Sequence, residues 1–412
     1  MMRGAALLGC LLMLGGAAVR GQDVEPAATG VAVPDSAQRG KYLVDAGNCA
    51  SCHTRPGGKP FAGGVAFETP FGTVYSTNIT QDLETGIGAW SAADLRRAMQ
   101  EGVGRDGSSL IPAFPYTSFT KVSDADIADI YAYLRTLPAV RYRPPDNGLL
   151  LQLRWGVSAW QKLYFTPGRF VTDNSKPAEW NRGAYLVQGL GHCSACHTPR
   201  GLSMAENNDA AYQGGTFTDQ VTAGKAGRWY AVNLTSAKHG LGAWSTADIE
   251  KYLGKGLSAR AGTFGPMNEV ILNSLKRLTP ADLHAMAVYI KSLPGPPFTG
   301  EKVSGSLAAA GAAIYQQRCQ KCHGESGRGG FFSGPPLAGS AVVQGEDPAS
   351  LINIILFGPA TPKELSYGSW ETMKPYADLL NDAQVAAVSN YLRGSWGNEA
   401  GAVQESDVRA AR

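Results

Sequence analysis

Three copies of one motif decide the fold of this chain: Cys49-Ala50-Ser51-Cys52-His53, Cys193-Ser194-Ala195-Cys196-His197 and Cys319-Gln320-Lys321-Cys322-His323. Each reads Cys-x-x-Cys-His, in which two thiols add to the vinyl groups of a haem and the adjacent His supplies the proximal iron ligand. A Cys-x-x-Cys alone could be a redox pair or half a zinc site. The added His, present three times, predicts three covalently bound haems c.

The N-terminus has the features of an export signal. Of the seven Cys in the chain, six lie in the motifs and the seventh, Cys10, lies in an apolar run over residues 5–19 that follows Arg3. This pattern is typical of a cleaved secretory signal, predicted here over residues 1–21. Lipidation at Cys10 is the less favoured alternative, because apolar residues continue beyond it. Since haem c is assembled outside the bacterial inner membrane, export predicts a location at the periplasmic face of that membrane.

Length and charge limit the remaining possibilities. A chain of 412 residues is long enough for two or three domains, and the three haem motifs favour three. The formal net charge is +3 and no long basic or acidic run occurs, so nothing indicates nucleic-acid binding. After the predicted signal, no apolar stretch approaches the roughly 18 residues that span a bilayer, so any membrane contact is expected to be peripheral.

An internal repeat connects the first two motifs. Three pairs of stretches match in order: Arg39-Gly40-Lys41-Tyr42-Leu43-Val44 with Arg182-Gly183-Ala184-Tyr185-Leu186-Val187, residues 86–94 with 240–248, and residues 124–138 with 280–294. A shorter pair, Thr77-Asn78-Ile79-Thr80 and Val232-Asn233-Leu234-Thr235, lies between the first and second of these. Such self-similarity predicts duplicated domains, here over residues 22–145 and 179–296.

Each duplicate is predicted to be a small helical unit around its haem, so the predicted fold class is all-α. First helices are expected near residues 39–45 and 182–188, with their Tyr-Leu pairs directed towards the haem. The closing helix of the first domain has one apolar face, at i, i+3, i+4 and i+7, formed by Ile127, Ile130, Tyr131 and Leu134. Ser123 and Thr279 are the candidate N-caps of the two closing helices. Because a domain of this size has a thin apolar core, the fold should require its haem.

The third domain, predicted over residues 297–397 before a C-terminal tail of residues 398–412, is built differently. It has Gly311 to Tyr315 ahead of its motif, then Gly334-Pro335-Pro336-Leu337, then Met373-Lys374-Pro375-Tyr376 and a helix over residues 381–392. That order resembles a monohaem class I cytochrome c. The resemblance implies that the Pro335 carbonyl accepts a hydrogen bond from the ring N–H of His323, and a plain turn at Pro335-Pro336 is the alternative.

The sixth iron ligands are sought among the Met residues, because a thioether stabilises ferrous iron and raises the potential. Met267 precedes the closing helix of the second domain and Met373 holds the corresponding place in the third, so both are predicted ligands. The first domain has Phe114 at that place and Met99 in a preceding helix. Its haem is therefore either unusually ligated or five-coordinate, and its sixth ligand stays unknown.

These motifs together resemble a known family. The duplicated pair, the class I-like third domain, residues 112–116 (Pro-Ala-Phe-Pro-Tyr) and residues 390–397 are similar to the tri-haem cytochrome c subunit of bacterial membrane-bound dehydrogenases of the alcohol, aldehyde, gluconate, sorbitol and fructose type. The similarity covers nearly the whole mature chain. It implies that a separate catalytic subunit, a quinoprotein, flavoprotein or molybdoprotein, oxidises the substrate. This chain would then pass the electrons through three haems c to ubiquinone or a terminal oxidase.

The sequence offers little for substrate chemistry. No Gly-x-Gly-x-x-Gly fingerprint or phosphate-binding loop opens a domain, which favours an electron-transfer subunit without catalytic residues of its own. The alternative is a catalytic or ligand-binding cytochrome that uses an open iron at the first haem.

Residues 146–178 are predicted to form an apolar helix followed by a linker. The helix is too short and too charged to span a membrane. Packing against a domain or against the catalytic subunit is the predicted role, and an interfacial membrane helix is the alternative.

Overall fold

Helices are the main regular elements of the computed structural model, which describes residues 35–148, 150, 154–222, 225–300, 302–330, 333–365 and 370–412. The predicted signal and Cys10 lie outside these residues. No helix in the described ranges has the length and hydropathy needed to cross a bilayer. The described residues of the three predicted domains are here called unit 1 (35–145), unit 2 (179–296) and unit 3 (302–397).

Unit 1 is a set of helices with one β-hairpin. Its elements are α1 (Ser36–Ala46), α2 (Cys49–His53), β1 (Ala66–Thr69), β2 (Gly72–Tyr75), α3 (Ala92–Glu101), α4 (Tyr116–Phe119) and α5 (Asp124–Leu134). Polar caps fix where the longer helices begin: Asp35 caps α1, Ser91 forms a capping box with Asp94 at α3, and Ser123 caps α5. The predicted N-cap role of Ser123 is confirmed.

Unit 2 has the same order of elements, after a connecting helix. These are α6 (Arg154–Tyr164), then α7 (Ala178–Gln188), α8 (Ser194–His197), β3 (Gly215–Thr222), β4 (Lys225–Ala231), α9 (Thr246–Lys255), α10 (Met267–Asn273) and α11 (Pro280–Ser292). Ser245 and Asp248 form a capping box at α9, and Thr279 caps α11 with Pro280 in its first turn, as predicted.

Unit 3 and the C-terminal residues form one packed region. The helices are α12 (Gly305–Ala310), α13 (Ala312–Arg318), α14 (Gln320–His323), α15 (Ala349–Phe357), α16 (Asp382–Gly394) and α17 (Glu405–Ala411). The predicted tail is held against α16, because Asn390 donates to the Val403 carbonyl at 2.9 Å and accepts from the Val403 amide at 2.8 Å. The fully buried Arg393 donates to the carbonyls of Val343 and Gly345, both at 2.9 Å.

A glycine lets the first helix of each unit approach the closing helix. A Cβ placed on Gly40 would lie 1.8 Å from the Asp129 carbonyl oxygen, and one on Gly183 would lie 1.9 Å from that of Ala285. In unit 3, a Cβ on Gly311 would lie 2.2 Å from the Ala387 carbonyl oxygen. Only a residue without a side chain fits such a contact, so glycine sets the distance between the two helices.

Two β-hairpins depart from the all-α prediction. β1 pairs antiparallel with β2 from Ala66 opposite Tyr75 to Thr69 opposite Gly72, and β3 pairs antiparallel with β4 from Gly215 opposite Ala231. The cause is local: aromatic and β-branched residues such as Phe217, Trp229 and Tyr230 favour extended backbone. The fold is therefore mainly helical with two small sheets.

The apolar cores follow the division into units only in part. One buried cluster runs through both unit 1 and unit 2, including Leu43 and Ile290, and extends to Ala341 and Leu365 of unit 3. The remaining buried apolar residues of unit 3 form a second cluster.

The connecting helix α6 packs against both units 1 and 2. Gln161 donates to the Glu101 carbonyl at 2.7 Å, and the indole of Trp160 donates to the Ser203 carbonyl at 2.7 Å. Trp155 and Leu163 remain about three-quarters exposed, at 73% and 74%. Packing against a domain is confirmed for the described part of this segment, while residues 149 and 151–153 lie outside it.

Candidate haem sites

Each Cys-x-x-Cys-His motif forms about one helical turn. These turns are α2, α8 and α14, and each ends at the motif His. In units 1 and 2 the residue before the first Cys has left-handed backbone, with φ 51° at Asn48 and 36° at His192. The chain therefore reverses sharply between the first helix and the motif, which brings the thiols next to that helix.

A backbone carbonyl fixes the ring of each motif His. The Nδ1 atoms of His53, His197 and His323 lie 2.6, 2.7 and 2.9 Å from the carbonyl oxygens of Thr77, Val232 and Pro335, respectively. Because a carbonyl only accepts, Nδ1 carries the proton and Nε2 keeps a lone pair, which is the arrangement that an iron ligand needs.

Burial also keeps these rings neutral. It lowers the pKa of His53, of His197 and of His323, although the bond to the carbonyl opposes this in each case. A neutral imidazole can bind iron through Nε2. The geometry of the three rings therefore fits proximal haem ligation.

The motif thiols do not suit a redox-active pair. Burial, and then the neighbouring thiol, raises the pKa of Cys49 and of Cys193 to about 12. Reactive redox thiols act as thiolates, which such a pKa disfavours. Thioether formation with haem is the reading that fits both the thiols and the His.

The carbonyl acceptors in units 1 and 2 are set by buried asparagines. The Asn78 Oδ1 atom accepts from the Thr80 amide at 2.9 Å, and Asn233 Oδ1 accepts from the Thr235 amide at 2.8 Å. Both asparagines are almost fully buried. This support was not anticipated from the sequence, although the repeated Asn-x-Thr pattern at residues 78–80 and 233–235 was a visible signal of it.

In unit 3 the predicted ligands share one cavity. A cavity that opens to solvent is lined by Cys319, His323 and Met373. Its other walls are mainly apolar, including Leu337, Leu351, Ile355, Tyr376 and Leu392. An apolar cavity with thiol, imidazole and thioether groups fits haem c with His and Met as axial ligands. The predicted bond from His323 to Pro335 is also present.

In unit 2 the structure places Met267 at the first residue of α10, half-buried against the shared core. The neighbouring Asn268 is buried and donates to the carbonyls of Pro359 at 3.2 Å and Ala360 at 3.1 Å in unit 3. The Gly265 amide also donates to the Pro359 carbonyl, at 3.2 Å. The segment that carries Met267 is therefore held from outside its own unit.

In unit 1 the two residues considered for the sixth-ligand position are Met99 and Phe114. Met99 lies in α3 with 5% of its surface exposed, inside the shared core. Phe114 packs edge-on against Phe119, with ring centroids 5.4 Å apart. Both residues therefore pack against other side chains of the protein.

The motifs of units 1 and 2 adjoin each other. The pKa of the Cys52 thiol is raised to about 12, first by burial and then by the nearby Cys196 thiol of unit 2. The Asn273 side-chain amide of unit 2 donates to the Ser51 hydroxyl at 2.8 Å. Unit 2 therefore contacts the motif of unit 1 directly.

Two protein-family models match parts of the chain. The model described as cytochrome c matches residues 37–138, and the model described as cytochrome c oxidase, cbb3-type, subunit III matches residues 306–392. These ranges contain the first and the third Cys-x-x-Cys-His motifs. They establish cytochrome c domains and hence covalently bound haem c.

Whole-length relatives are also similar. The cytochrome c subunit of the quinone-type alcohol dehydrogenase of Gluconobacter oxydans is 36% identical, over 91% of this chain and 82% of the relative. The gluconate 2-dehydrogenase cytochrome c subunit of Pantoea cypripedii is 38% identical, over 91% and 89%. A subunit of the nicotinate dehydrogenase of Pseudomonas putida is 38% identical over 91% of this chain, which spans only 31% of that relative.

Proposed function

This chain belongs to the family of cytochrome c subunits of bacterial dehydrogenases, and we propose that it carries electrons from a catalytic dehydrogenase subunit through three haems c to ubiquinone or a terminal oxidase. The observation that carries the proposal is the repeated His geometry, in which a carbonyl holds Nδ1 and leaves Nε2 available in all three motifs. Once bound, haem supplies one-electron chemistry at its iron.

We also propose that the three haem domains include a duplicated pair. Units 1 and 2 have the same order of helices and strands, and a glycine contact of the same geometry joins their first and closing helices. The motif of unit 2, at residues 193–197, has its His in the same hydrogen-bonded setting as the other two. These features support a third haem beyond the two that lie in the matched ranges.

The chain's own residues have distinct roles in this function. The Cys pairs anchor each haem, His53, His197 and His323 ligate the irons, and Met267 and Met373 are the proposed sixth ligands in units 2 and 3. The apolar walls of the unit 3 cavity limit water around the site, which helps set its potential.

The proposed location is the periplasmic face of the inner membrane, after export by a signal over residues 1–21, with peripheral membrane association. The exposed Trp155 and Leu163 on α6 support contact with an apolar partner or a membrane surface. The catalytic partner would be a quinoprotein, flavoprotein or molybdoprotein.

Purification from the native membrane tests the function. We expect the chain to co-purify with a large dehydrogenase subunit, to contain three haems, and to have all three reduced by that subunit's substrate. Reduction should stop when the catalytic subunit is removed. Haem reduction by a substrate in the isolated chain would contradict the proposal.

One observation favours a second candidate function, a ligand-binding or catalytic cytochrome. Phe114 holds the place of a sixth ligand in unit 1, and Met99 is packed in the core. If the iron of this unit is open, reduced protein should bind carbon monoxide stoichiometrically at one haem. Turnover of peroxide or a sulfur anion at that haem would favour this second function over electron transfer alone.

A further inference from the structure

Two equivalent tyrosines, one in unit 1 and one in unit 2, each form hydrogen bonds to the opposite unit. Tyr42 lies in α1 and Tyr185 in α7, at the same place in the repeated Arg-Gly-x-Tyr-Leu-Val sequence. The Tyr42 hydroxyl donates to Asp282 at 2.5 Å and accepts from the Thr279 amide at 3.2 Å. Each tyrosine thus reaches the first turn of a closing helix.

The bonds of Tyr185 repeat this arrangement in the opposite direction. Its hydroxyl donates to Asp126 and accepts from the Ser123 amide at 3.0 Å. Ser123 and Thr279 are the N-caps of α5 and α11, and Asp126 and Asp282 follow three residues later. The tyrosine of each unit therefore meets the same site of the other unit.

Further contacts between the units are reciprocal as well. Asn273 of unit 2 donates to Ser51 in the motif of unit 1 at 2.8 Å, and Ser118 of unit 1 lies 3.4 Å from Ser194 in the motif of unit 2. A Cβ placed on Gly47 would lie 3.5 Å from Leu190. Equivalent surfaces of units 1 and 2 therefore contact each other. This is the pattern of a two-fold contact, here within a single chain.

We infer that Tyr42 and Tyr185 are paired positioning residues that hold the haem-bearing helices of units 1 and 2 in a pseudo-two-fold arrangement and so fix the separation of their haems. The inference rests on the proposed function, because it assumes a haem at both motifs. Since Asn273 of unit 2 contacts Ser51 within the motif of unit 1, a small rotation of one unit would change the distance between the two haems. Electron exchange falls steeply with that distance.

The two tyrosines are not expected to contribute equally. Asp282 is also bonded twice by Arg182 of its own unit, at 2.8 Å each, and so stays paired without Tyr42. Asp126 forms no ion pair in the described part of the chain, and its carboxylate is bonded by Tyr185. Loss of the Tyr185 hydroxyl removes a partner from a carboxylate that has no such second one among the described residues, so it should have the larger effect.

Soret circular dichroism of the purified full-length haem protein tests this inference, because two haems at fixed separation and orientation produce paired bands of opposite sign. We expect Tyr185→Phe with Tyr42→Phe to reduce the amplitude of the pair at least twofold, with Tyr185→Phe alone giving most of the loss. Asp126→Ala should act like Tyr185→Phe, and Asp126→Asn, which keeps an oxygen acceptor, should restore the wild-type amplitude. Tyr131→Phe is the matched control, because that hydroxyl donates to the Trp90 carbonyl at 2.8 Å within unit 1.

The outcomes separate this inference from the proposed function. An unchanged pair of bands in the double variant, or an equal loss in Tyr131→Phe, would overturn the positioning role while the haem content still supports the function. Equal amplitudes in Asp126→Ala and Asp126→Asn would also overturn the positioning role. Absence of haem at one of the two motifs in the wild-type protein would overturn both.

Discussion

Units 1 and 2 are built alike around the proximal side of the haem and differently on the distal side. In both, a first helix crosses a closing helix at a glycine, and an asparagine-supported carbonyl holds the motif His. On the distal side, unit 1 has the four-residue α4 after Phe114, whereas unit 2 has α10, which begins at Met267 and is pinned to unit 3. The scaffold can therefore stay constant while the ligand segment, and with it the redox behaviour, changes.

The largest expected effect is the loss of a haem when a motif Cys pair is replaced. Replacing Cys193 and Cys196 with Ala should lower the haem content of the purified chain by one haem, and replacing Cys49 and Cys52 should give the same loss. The reason is that each pair forms the two covalent links of one haem. Pyridine haemochrome absorbance per chain measures this. Full haem content in the Cys193/Cys196 variant would reduce the proposed count to two.

The shared helix crossing gives the next effect. Gly40→Ala and Gly183→Ala should each lower the free energy of unfolding by about 3 kcal/mol, because the new Cβ would overlap a carbonyl oxygen of the closing helix. Denaturant unfolding of the haem protein measures both. Gly156→Ala on α6 is the control, since a Cβ there meets nothing within 4 Å and should be neutral or slightly stabilising. Markedly unequal losses at Gly40 and Gly183 would show that the two crossings are not equivalent.

The proposed sixth ligands of units 2 and 3 give the next effect. Met267→Ala and Met373→Ala should each lower the potential of one haem by a sizeable part of the roughly 0.8 V range that axial ligands control, and open that iron to carbon monoxide. Both variants should keep all their haems, since the covalent links are intact. Redox titration checks this, and a titration curve that matches wild type would remove that Met from the ligand set.

Unit 1 can be made to resemble unit 2. If its iron is open or weakly ligated, Phe114→Met should create His/Met ligation and raise the potential of that haem. Met99→Ala should leave its spectrum unchanged, because Met99 is a core residue of α3. The thioether-to-iron charge-transfer band of the oxidised protein is the measurement. A wild-type band of three equivalents, with one lost in Met99→Ala, would identify Met99 as the ligand.

The smallest effect concerns pH. A hydrogen bond to Glu250, helped by the charge of Glu179, raises the pKa of His284 on α11, whereas the equivalent residue of unit 1 is Ala128. A raised pKa stabilises the fold fully below the unfolded value and loses that contribution as pH rises through the folded value. Because the pair is exposed, His284→Gln should cost a few tenths of a kcal/mol at about pH 5 and nothing at about pH 8. Urea unfolding at the two pH values measures this. An equal loss in the free energy of unfolding at both would show that the charge of His284 is not the cause.

The proximal half of each site could be predicted from the sequence, because it depends on local spacing. The predicted N-caps Ser123 and Thr279 are confirmed, and the helix predicted over residues 381–392 corresponds to Asp382–Gly394. The class I resemblance also implied the bond from His323 to the Pro335 carbonyl, which lies at 2.9 Å. In each case the residues that interact are separated by short stretches of chain.

Contacts between distant residues were not predictable in the same way. The β-branched and aromatic residues of β3 and β4 favour extended backbone, but the haem motifs favoured a purely helical prediction. The repeat predicts that Tyr42 faces its own haem, yet its hydroxyl bonds to Asp282, which is far away in the sequence. The bond from Asn268 to Pro359 joins two units, and a single sequence contains no signal for such a pairing.

That last bond bears on the order in which the protein matures. The chain is synthesised from its N-terminus, so α10 leaves the ribosome before the residues to which Asn268 is bonded. The segment of unit 2 that carries Met267 and Asn268 can reach its final conformation only after Pro359 and Ala360 have been synthesised and folded. A chain cut short within unit 3 would therefore damage a haem site that lies upstream of the cut, as well as the one it removes.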